Sequence, residues 1–412
     1  MKVDTMRRID RLAGVPLCAV ATVMLRVVSL FRRAAPHPVR RVLMIELSEM
    51  GTTILAAPAM KKVREELRAE LYFVIFRKNV GSIDLLGTFP RENVFTIRDT
   101  SIATLVVDTL KFLIWTRKNS IDTVLDLELF SRFTALLTGF SGAQRRVGYH
   151  RFHNEGLYRG EMLTHRVAYN PHIHIAQNLI SLVNALLVPA PQIPYSKTKV
   201  TDSDLTVSLP TPSAAARETM RARIRTLANA DPAAHRIVLI NPNASELLPH
   251  RRWMPERYAE LIKRILSHYE GSLVLITGAP AESAEAERLA QQCGPRCVSI
   301  AGHTALSELP ALYSLAELMV TNDSGPSHFA AASGLRTIVL FGPETPKLYQ
   351  PLGSSRAIYA GLACSPCVSA SNHRKTACTD NVCMQAIHVD QVFAVVADEL
   401  SRTAKSAARA SS

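Results

Sequence analysis

The sequence predicts an α/β protein with two Rossmann-like domains facing each other across a cleft. Apolar runs of strand length alternate with longer helical patterns from Arg41 onward. The alternation stops at a proline-rich polar stretch, residues 189–212, and a second series begins at Arg236. Such alternation is typical of parallel sheets whose strands are joined by crossover helices. A chain of 412 residues is long enough for two to three domains of ~150 residues each.

In the first half, each predicted strand is a short apolar run, such as RVLMIEL at Arg41–Leu47, and each predicted helix has apolar residues at helical spacing. The predicted strands are 41–47, 71–76, 94–97 and 121–127, and the predicted helices are 52–68, 102–118 and 172–187. Residues 145–170 are rich in Arg, His and Tyr, and we expect irregular structure there.

The second half repeats the pattern after the prolines of the linker, which end a helix and disfavour a central strand. The predicted strands are 236–241, 272–277, 298–300, 318–321 and 337–341, and the predicted helices include 255–268 and 389–402. We therefore expect an N-terminal helix in residues 1–40, domains at 41–188 and 213–400 joined by the linker 189–212, and a disordered Ser/Ala-rich tail at 401–412.

The N-terminal segment contains an apolar run, Leu12–Leu25, that is shorter than the ~20 residues of a spanning helix. No small-residue cleavage site follows it. Basic residues flank it on both sides: Arg7, Arg8, Arg11, Arg32, Arg33, Arg40 and Arg41. This pattern predicts a helix lying on the anionic cytoplasmic leaflet of a membrane. A helix packed on the protein's own surface and a true span are the alternatives.

The charge is strongly positive, with 48 Lys+Arg against 35 Asp+Glu and a formal net charge of +13. Nucleic acid, an anionic membrane surface and phosphorylated ligands all suit such a charge. The sequence has neither an aromatic stacking platform nor a recognisable recognition helix, so we expect no nucleic-acid partner. With 47% hydrophobic residues the chain is not a disordered protein. Seven cysteines in this length do not make a secreted disulfide scaffold, which favours a cytosolic location.

The most informative segment is VTNDSGPSHFAAA, residues 320–332. A predicted strand ends there, polar residues follow, and Gly325 opens a helix that carries His328 near its start. Ligands of open parallel sheets bind beyond the carboxyl ends of the strands, and helix N-termini favour anions. We interpret this turn as a phosphate site, although Asp323 or Ser324 taken singly would also suit a plain helix cap.

Two other strand ends carry candidate ligand contacts. INPNAS is followed by His250-Arg251-Arg252-Trp253, and two adjacent guanidinium groups can clamp a diphosphate. The alternative is a solvated basic loop above a packed Trp253. At the third strand end, the Glu282 carboxylate could accept ribose hydroxyls, or it could simply complement a helix dipole.

Together with FGPETP (341–346), these segments resemble the glycosyltransferase family that contains the lipopolysaccharide heptosyltransferases. RVLMIELSEMGTTILAAPAM near the start also matches, and the likeness covers roughly residues 41–398. The resemblance implies a GT-B fold and a nucleotide sugar held mostly by the second domain. It also implies inverting, metal-independent transfer to a lipid-linked saccharide. It assigns donor binding to Asn243, Arg251, Arg252, Glu282, Asn322, Asp323, Ser324, Gly325, His328, Pro343, Glu344 and Thr345.

This chain departs from the family pattern at two positions. Arg251 stands where the family usually has Lys, which keeps the positive charge. Gly51-Thr52 stands where the family has Gly-Asp, whose Asp is the base that deprotonates the acceptor. A Thr hydroxyl is too weak a base, so we expect Glu49, in the same loop as Thr52, to serve instead. A solvent-facing loop acid is the alternative interpretation of Glu49.

Four cysteines form the pattern C-x2-C-x10-C-x4-C: Cys364, Cys367, Cys378 and Cys383, with His373 between them. Four thiolates can enclose a structural Zn²⁺ tetrahedrally, and reduced half-buried thiols are the alternative. We therefore expect a structural zinc ion at this cluster, and we expect no cofactor for catalysis.

The resulting prediction is an inverting glycosyltransferase on the inner face of the cytoplasmic membrane. It would move heptose or a related sugar from a nucleoside diphosphate donor to a lipid-linked saccharide of the bacterial envelope, such as lipopolysaccharide core. The alternative is a scaffold protein that binds the nucleotide sugar but is catalytically impaired by Thr52. The scaffold would bind a nucleotide sugar without releasing the nucleoside diphosphate.

Overall fold

The computed structural model describes residues 3–31, 38–152, 157–244, 248–369, 372 and 374–410. The chain divides into two compact units, Met1–Thr206 (unit 1) and Val207–Ser412 (unit 2). Each unit contains a six-stranded sheet whose strand pairs are all parallel. The boundary between the units falls within the stretch 189–212 that the prolines mark in the sequence.

Unit 1 is a doubly wound sheet with two additional N-terminal helices. Its strands are β1 (Arg41–Ile45), β2 (Glu70–Phe76), β3 (Val94–Ile97), β4 (Thr123–Asp126), β5 (Arg145–Tyr149) and β6 (His165–Val167). Its helices are α1 (Val3–Leu12), α2 (Gly14–Phe31), α3 (Met50–Leu55), α4 (Ala57–Glu66), α5 (Gly81–Leu86), α6 (Ile102–Lys118), α7 (Arg132–Phe140) and α8 (Ile175–Leu187). The strand order is β3-β2-β1-β4-β5-β6.

Unit 2 repeats this arrangement. Its strands are β7 (Arg236–Asn241), β8 (Ser272–Ile276), β9 (Cys297–Ser299), β10 (Leu318–Asn322), β11 (Arg336–Phe341) and β12 (Ser355–Tyr359). Its helices are α9 (Ala214–Ala228), α10 (Pro255–His268), α11 (Ser283–Cys293), α12 (Leu309–Tyr313), α13 (Gly325–Ala332), α14 (Pro346–Tyr349), α15 (Val382–Gln385) and α16 (Val389–Ala410). The strand order is β12-β11-β10-β7-β8-β9.

Both sheets have the strand order of a Rossmann fold, because each sheet grows outward from two central neighbours. These neighbours are β1 and β4 in unit 1, and β7 and β10 in unit 2. The chain leaves each central pair in opposite directions, which opens a crevice beyond their carboxyl ends. Ligands of doubly wound proteins bind in that crevice, so these two strand ends are where the site is to be sought.

The N-terminal helices pack on unit 1 through small residues. Cys18 and Ala21 of α2 are fully buried in a cluster with Ala135 and Met162. The opposite face of α2 is exposed and apolar. By length and composition, α2 is the one helix in the described part of the chain that could cross a membrane, with a mean hydropathy of 2.0. The predicted flanking residues Arg32 and Arg33 lie outside the described residues.

The structure also differs from the sequence prediction at the sheet edges and at the C-terminus. Residues 145–170 contain two short strands, β5 and β6, rather than irregular structure only. The edge strand β12 and the helix α9 were not predicted. The C-terminal helix continues to Ala410, so the expected disordered tail is helical over residues 401–410, and 411–412 lie outside the described residues.

Candidate functional site

The turn between β10 and α13 is built at the central strand pair of unit 2. β10 ends at Asn322, Asp323 donates its backbone N–H to Leu340 on β11, and Ser324 caps α13 in an extended conformation. Asp323 and His328 are buried, whereas Ser324 and Gly325 are half-buried. The turn therefore presents Ser324 and Gly325 to solvent at the start of the helix, above two buried polar side chains.

Asn322 holds this turn in place rather than facing a ligand. Its side-chain oxygen accepts hydrogen bonds from the Trp253 backbone at 3.1 Å and from the Tyr258 hydroxyl at 3.0 Å. Its side-chain nitrogen donates to the carbonyls of Pro242 at 2.8 Å and Asn243 at 3.3 Å. The side chain is fully buried. Asn322 thus fixes the loops after β7 and β10 against each other. We therefore interpret it as a positioning residue and not as the donor contact that was predicted.

Arg251 lies between two buried carboxylates. Its Nε is 3.3 Å from Asp323 Oδ2, and its guanidinium donates to Glu344 Oε1 at 3.0 Å. Arg374 adds a second positive charge, 3.3 Å from Glu344 Oε1. The sequence did not single out Arg374. Two carboxylates and two guanidinium groups thus fix each other at the carboxyl ends of β10 and β11, and this network holds Arg251 beside the α13 turn.

Asn243 and Glu282 converge above Gly278. A Cβ atom on Gly278 would lie 3.0 Å from Glu282 Oε2 and 3.1 Å from Asn243 Nδ2. The same Glu282 oxygen accepts a hydrogen bond from the Ala279 backbone at 2.6 Å, so the carboxylate is held rather than freely solvated. Arg252 instead donates to the Ala244 carbonyl at 3.0 Å. The structure therefore brings two of the predicted donor-binding residues together beside β8.

The FGPETP segment follows β11 at the same end of the sheet. The Pro343 carbonyl accepts hydrogen bonds from the backbones of Cys367 and Val368, at 3.1 and 3.3 Å. Thr345 caps α14 by accepting a hydrogen bond from the Lys347 backbone at 3.3 Å. These contacts position the loop that carries Glu344, so Pro343 and Thr345 have local structural partners of their own.

In unit 1, Glu49 and Thr52 lie together where β1 leads into α3. Thr52 donates its hydroxyl to Glu49 Oε2 at 2.9 Å, and the Glu49 carbonyl accepts from the Thr53 hydroxyl at 3.0 Å. Thr52 is buried, whereas Glu49 is half-buried. Thr52 therefore orients the carboxylate of Glu49, a role that its weakly basic hydroxyl can perform.

Two further carboxylates flank Glu49. Glu46 Oε1 accepts hydrogen bonds from the backbones of Ser48 at 3.3 Å and Glu49 at 3.2 Å. Glu128, which follows β4, accepts from the Ser48 hydroxyl at 2.7 Å and from the Leu47 backbone at 3.0 Å. The sequence did not identify Glu128. The feature that could have indicated Glu128 is its position: it is an acidic residue shortly after β4, the strand that pairs with β1 at the centre of the sheet.

Burial sets the protonation of this carboxylate group. Burial raises the pKa of Glu46 well above its ordinary value, and the charges of Glu128 and Glu49 raise it further. Burial also raises the pKa of Glu128, partly opposed by its hydrogen bond from Ser48. A buried carboxyl with a raised pKa keeps its proton into a higher pH range. The half-buried Glu49 is thus flanked by a neighbour, Glu46, that holds its proton.

A cavity of about 120 Å³ lies in the same unit, lined among others by Asp126, Tyr149, His150 and Arg159. Asp126 and Arg159 form a buried ion pair. Arg159 also donates to the Ser131 carbonyl at 2.9 Å. The cavity is lined by both polar and apolar side chains and adjoins the carboxyl ends of β4 and β5.

The zinc site predicted at the four cysteines is not supported. In the described portion of the chain, no three or more His, Cys, Asp or Glu side chains are grouped so that they could hold a metal ion. Cys378 Sγ instead accepts a hydrogen bond from the Asn381 backbone at 3.3 Å. Burial, followed by the nearby Cys367, raises the pKa of Cys383. Cys364 is exposed, and His373 lies outside the described residues.

Two Rossmann-like units in one chain are the architecture of the GT-B class of glycosyltransferases. The predicted fold is confirmed by solved structures: the glycosyl transferase family 9 protein of Veillonella parvula has a TM-score of 0.67 at 16% identity, covering 89% of this chain and 99% of its own. Residues 115–377, more than half of the chain, match glycosyltransferase family 9 (heptosyltransferase). The chain belongs to this family.

Relatives with assigned names match over a shorter stretch. The lipooligosaccharide heptosyltransferase 2 of Haemophilus influenzae is 32% identical over 118 residues, which are 28% of this chain and 34% of the relative. The chain thus spans about a third of the length of this relative. The structure of Escherichia coli heptosyltransferase WaaC with ADP-2-deoxy-2-fluoro heptose has a TM-score of 0.60 at 17% identity, covering 87% of this chain and 99% of that one.

Proposed function

We propose that the protein transfers a heptose from ADP-heptose to a lipid-linked saccharide of the lipopolysaccharide core. The observation that carries the proposal is the β10–α13 turn beside Arg251, in a chain that belongs to the heptosyltransferase family. The named relatives are heptosyltransferases of lipooligosaccharide and lipopolysaccharide, and WaaC has been solved with an ADP-heptose analogue. These matches lend no support to the scaffold alternative.

Unit 2 holds the donor in this proposal. The diphosphate approaches Gly325 at the start of α13, where the helix dipole favours negative charge. Pro326 lacks an N–H, and the Ser324 hydroxyl donates to the Asn322 carbonyl at 3.2 Å, so the Gly325 amide is the donor at that position. Arg251, held by Asp323 and Glu344, stabilises the charge that develops on the departing ADP. Asn243 and Glu282 contact the nucleoside, and no metal is required.

Unit 1 activates the acceptor. Glu49, oriented by Thr52, accepts the proton of the acceptor hydroxyl. The acceptor oxygen then bonds to the anomeric carbon of the heptose, and the bond from that carbon to the phosphate oxygen breaks, with its electron pair leaving on ADP. Attack from the face opposite the leaving group inverts the anomeric centre. Protonated Glu46 adds no charge beside Glu49, whereas an ionised Glu46 would disfavour its carboxylate form.

The enzyme acts at the inner face of the cytoplasmic membrane in this proposal. The exposed apolar face of α2, with Arg7, Arg8 and Arg11 preceding it, suits an anionic leaflet. A lipid-linked acceptor lies in the same plane, so a surface-bound enzyme meets it without extracting it from the bilayer.

The decisive assay measures ADP release and heptose transfer by the purified full chain, with ADP-heptose and a detergent-dispersed core acceptor. We expect Glu49→Gln to lower the transfer rate by about 10²–10⁴ while ADP binding is unchanged. The matched control is Glu65→Gln, an exposed glutamate on α4, which should transfer at the parental rate.

Two results would contradict the proposal. A parental chain that binds ADP-heptose but releases no ADP in the presence of acceptor would establish the scaffold. A Glu49→Gln variant that transfers at the parental rate would remove Glu49 as the base. If Glu128→Gln alone abolished transfer, the base would be reassigned to Glu128.

A further inference from the structure

Helix α6 has an exposed apolar stripe for which the proposed reaction has no use. Val106, Leu110 and Ile114 recur every fourth residue and are 53%, 57% and 68% exposed. The opposite side of the helix buries Asp108 and Phe112 against the sheet. Residues four apart lie on one side of a helix, so the stripe is continuous. A monomeric soluble protein rarely leaves such a surface uncovered.

The α6 stripe and the exposed side of α2 flank the same helix. Helices α6 and α7 connect β3 to β4 and β4 to β5, and right-handed crossovers in one direction place both on the same face of the sheet. Arg117 at the end of α6 donates to the Phe140 carbonyl of α7 at 3.0 Å. Leu25 of α2 lies 3.3 Å from where a Cβ on Gly139 of α7 would be. Helices α2 and α6 therefore both contact the C-terminal end of α7, each with its exposed stripe directed away from the core of unit 1.

The charges around these stripes have one sign. Arg26 on α2 and Lys111 and Lys118 on α6 are exposed. Helix α2 has no acidic residue, and the one acid of α6, Asp108, is buried and paired with Arg98 at 2.7 Å. The surface of these two helices is therefore apolar with positive charges only.

Helix α2 is attached to the rest of unit 1 over its N-terminal and middle turns, whereas residues 26–31 are exposed. Thr22 accepts a hydrogen bond from the Glu161 backbone at 2.9 Å. Near the start of the helix, Gly14 packs so closely that an added Cβ would lie 2.8 Å from Arg132. Gly160 also approaches α2, because a Cβ there would lie 2.9 Å from the Cys18 carbonyl. A helix attached at several turns to a folded domain cannot also cross a bilayer alone.

We propose that α2 and α6 form one docking surface for an anionic lipid bilayer, with both helices lying in the membrane plane. We define this apolar face by Val20, Val23 and Val27 on α2 and by Val106, Leu110 and Ile114 on α6, all 50–68% exposed. The inference deepens the proposed membrane location, on which it rests, by adding α6 and by excluding a span.

The charge pattern favours a bilayer over a second copy of the chain. A symmetric dimer places the same patch on both partners, so the positive side chains around the apolar face would oppose each other. Anionic lipid headgroups neutralise those charges, while the acyl chains cover the apolar side chains.

Sedimentation with phospholipid vesicles tests the surface. We expect the parental chain to bind vesicles containing phosphatidylglycerol and to bind pure phosphatidylcholine vesicles more weakly, the difference shrinking at high salt. The double variant Leu110→Glu/Ile114→Glu should bind the anionic vesicles at least about tenfold more weakly. The control Ile193→Glu, equally exposed outside these helices at 56%, should bind as the parent does.

Several outcomes overturn the inference. If the double variant binds vesicles as strongly as the parent does, α6 is not part of the docking surface. If sedimentation velocity shows that the parent self-associates and the double variant does not, the apolar face binds a second copy of the chain. Transfer to a detergent-dispersed acceptor should be unchanged in the double variant. If the parental chain is inactive in that assay, the proposed function fails, whereas the docking surface is not affected by this result.

The in-plane orientation has its own readout. Fluorophores are attached at Val20→Cys or at Leu110→Cys, in a chain whose exposed Cys364 is replaced by Ser. Both should be quenched to the same extent by lipids brominated near the headgroup. Quenching at position 20 by lipids brominated deep in the acyl chains, with no quenching at position 110, would show that α2 spans the membrane.

Discussion

At the residue scale, the carboxylates around Glu49 compensate for the substituted position in the proposed mechanism. Thr52 cannot take the acceptor proton, but its hydroxyl fixes the direction of Glu49. Burial raises the pKa of Glu46, which directly follows β1, so this carboxyl keeps its proton to a higher pH than an exposed one. The sequence placed Glu49 and Thr52 in one loop, and their hydrogen bond is consistent with that placement. It did not identify Glu128, because contact between β1 and β4 depends on the order of strands in the sheet.

The raised pKa of Glu46 makes a prediction about stability. Between the ordinary carboxyl pKa and the raised one, the folded chain holds a proton that the unfolded chain releases, so stability falls as pH rises through this window. Glu46→Gln keeps the oxygen that accepts from Ser48 and Glu49 without the ionisation. We expect this variant to melt at a higher temperature than the parent at pH 8, with a smaller difference at pH 5. Equal melting curves at both pH values would show that Glu46 does not titrate in this way.

At the element scale, the β10–α13 turn depends on a connection between separate elements. Asn322 on β10 binds the Trp253 backbone, the Tyr258 hydroxyl and the Pro242 carbonyl, all of which belong to or follow the β7 region. The sequence predicted a donor contact at this position because it stands beside Asp323. The structure shows that adjacency along a turn does not imply the same environment, since Asn322 belongs to the sheet and points into unit 2.

Removing this connection should destabilise unit 2. Asn322→Ala leaves several buried donors and acceptors unpaired, at a cost of about 3 kcal/mol or more of unfolding free energy. Urea denaturation of the variant measures this loss, and Gln291→Ala, an exposed amide on α11, should stay within about 0.5 kcal/mol of the parent. A loss below 1 kcal/mol for Asn322→Ala would mean that the turn is held by other contacts.

Elements with strong apolar periodicity could be predicted, whereas short edge elements could not. The strand Arg236–Asn241 and the helix Pro255–His268 form over the predicted residues. The strands β5 and β12 contain Arg and Ser and are only partly buried, so their sequences lack a continuous apolar run. The cysteine spacing fitted a zinc site, but in the described residues no three or more His, Cys, Asp or Glu side chains are grouped so that they could hold a metal ion.

At the scale of the whole molecule, the same strand order recurs in both units, and each unit places its polar strand ends at its central strand pair. In unit 1 these ends carry carboxylates, whereas in unit 2 they carry the Arg251 network and the α13 turn. The formal net charge of +13 suits a protein whose proposed donor, acceptor and membrane surface are all anionic. The fold could be predicted from the alternation of strands and helices. The role of the positive charge could not, because it depends on where the arginines lie in the folded chain.

We propose that the donor diphosphate binds at the start of α13, and Gly325 allows this to be tested without disturbing the fold. A Cβ on Gly325 would meet Phe329 at 3.7 Å, an ordinary contact, so Gly325→Ala should leave the melting temperature unchanged or raise it. The control is Gly271→Ala, at the other end of the sheet, where a Cβ would meet nothing within 4 Å.

Calorimetric titration with ADP gives the answer directly. We expect the parent and Gly271→Ala to bind ADP equally. Gly325→Ala adds a methyl group at the proposed phosphate site and should bind ADP at least about tenfold more weakly, or about 1.4 kcal/mol. Undiminished ADP binding by a folded Gly325→Ala variant would contradict this proposal.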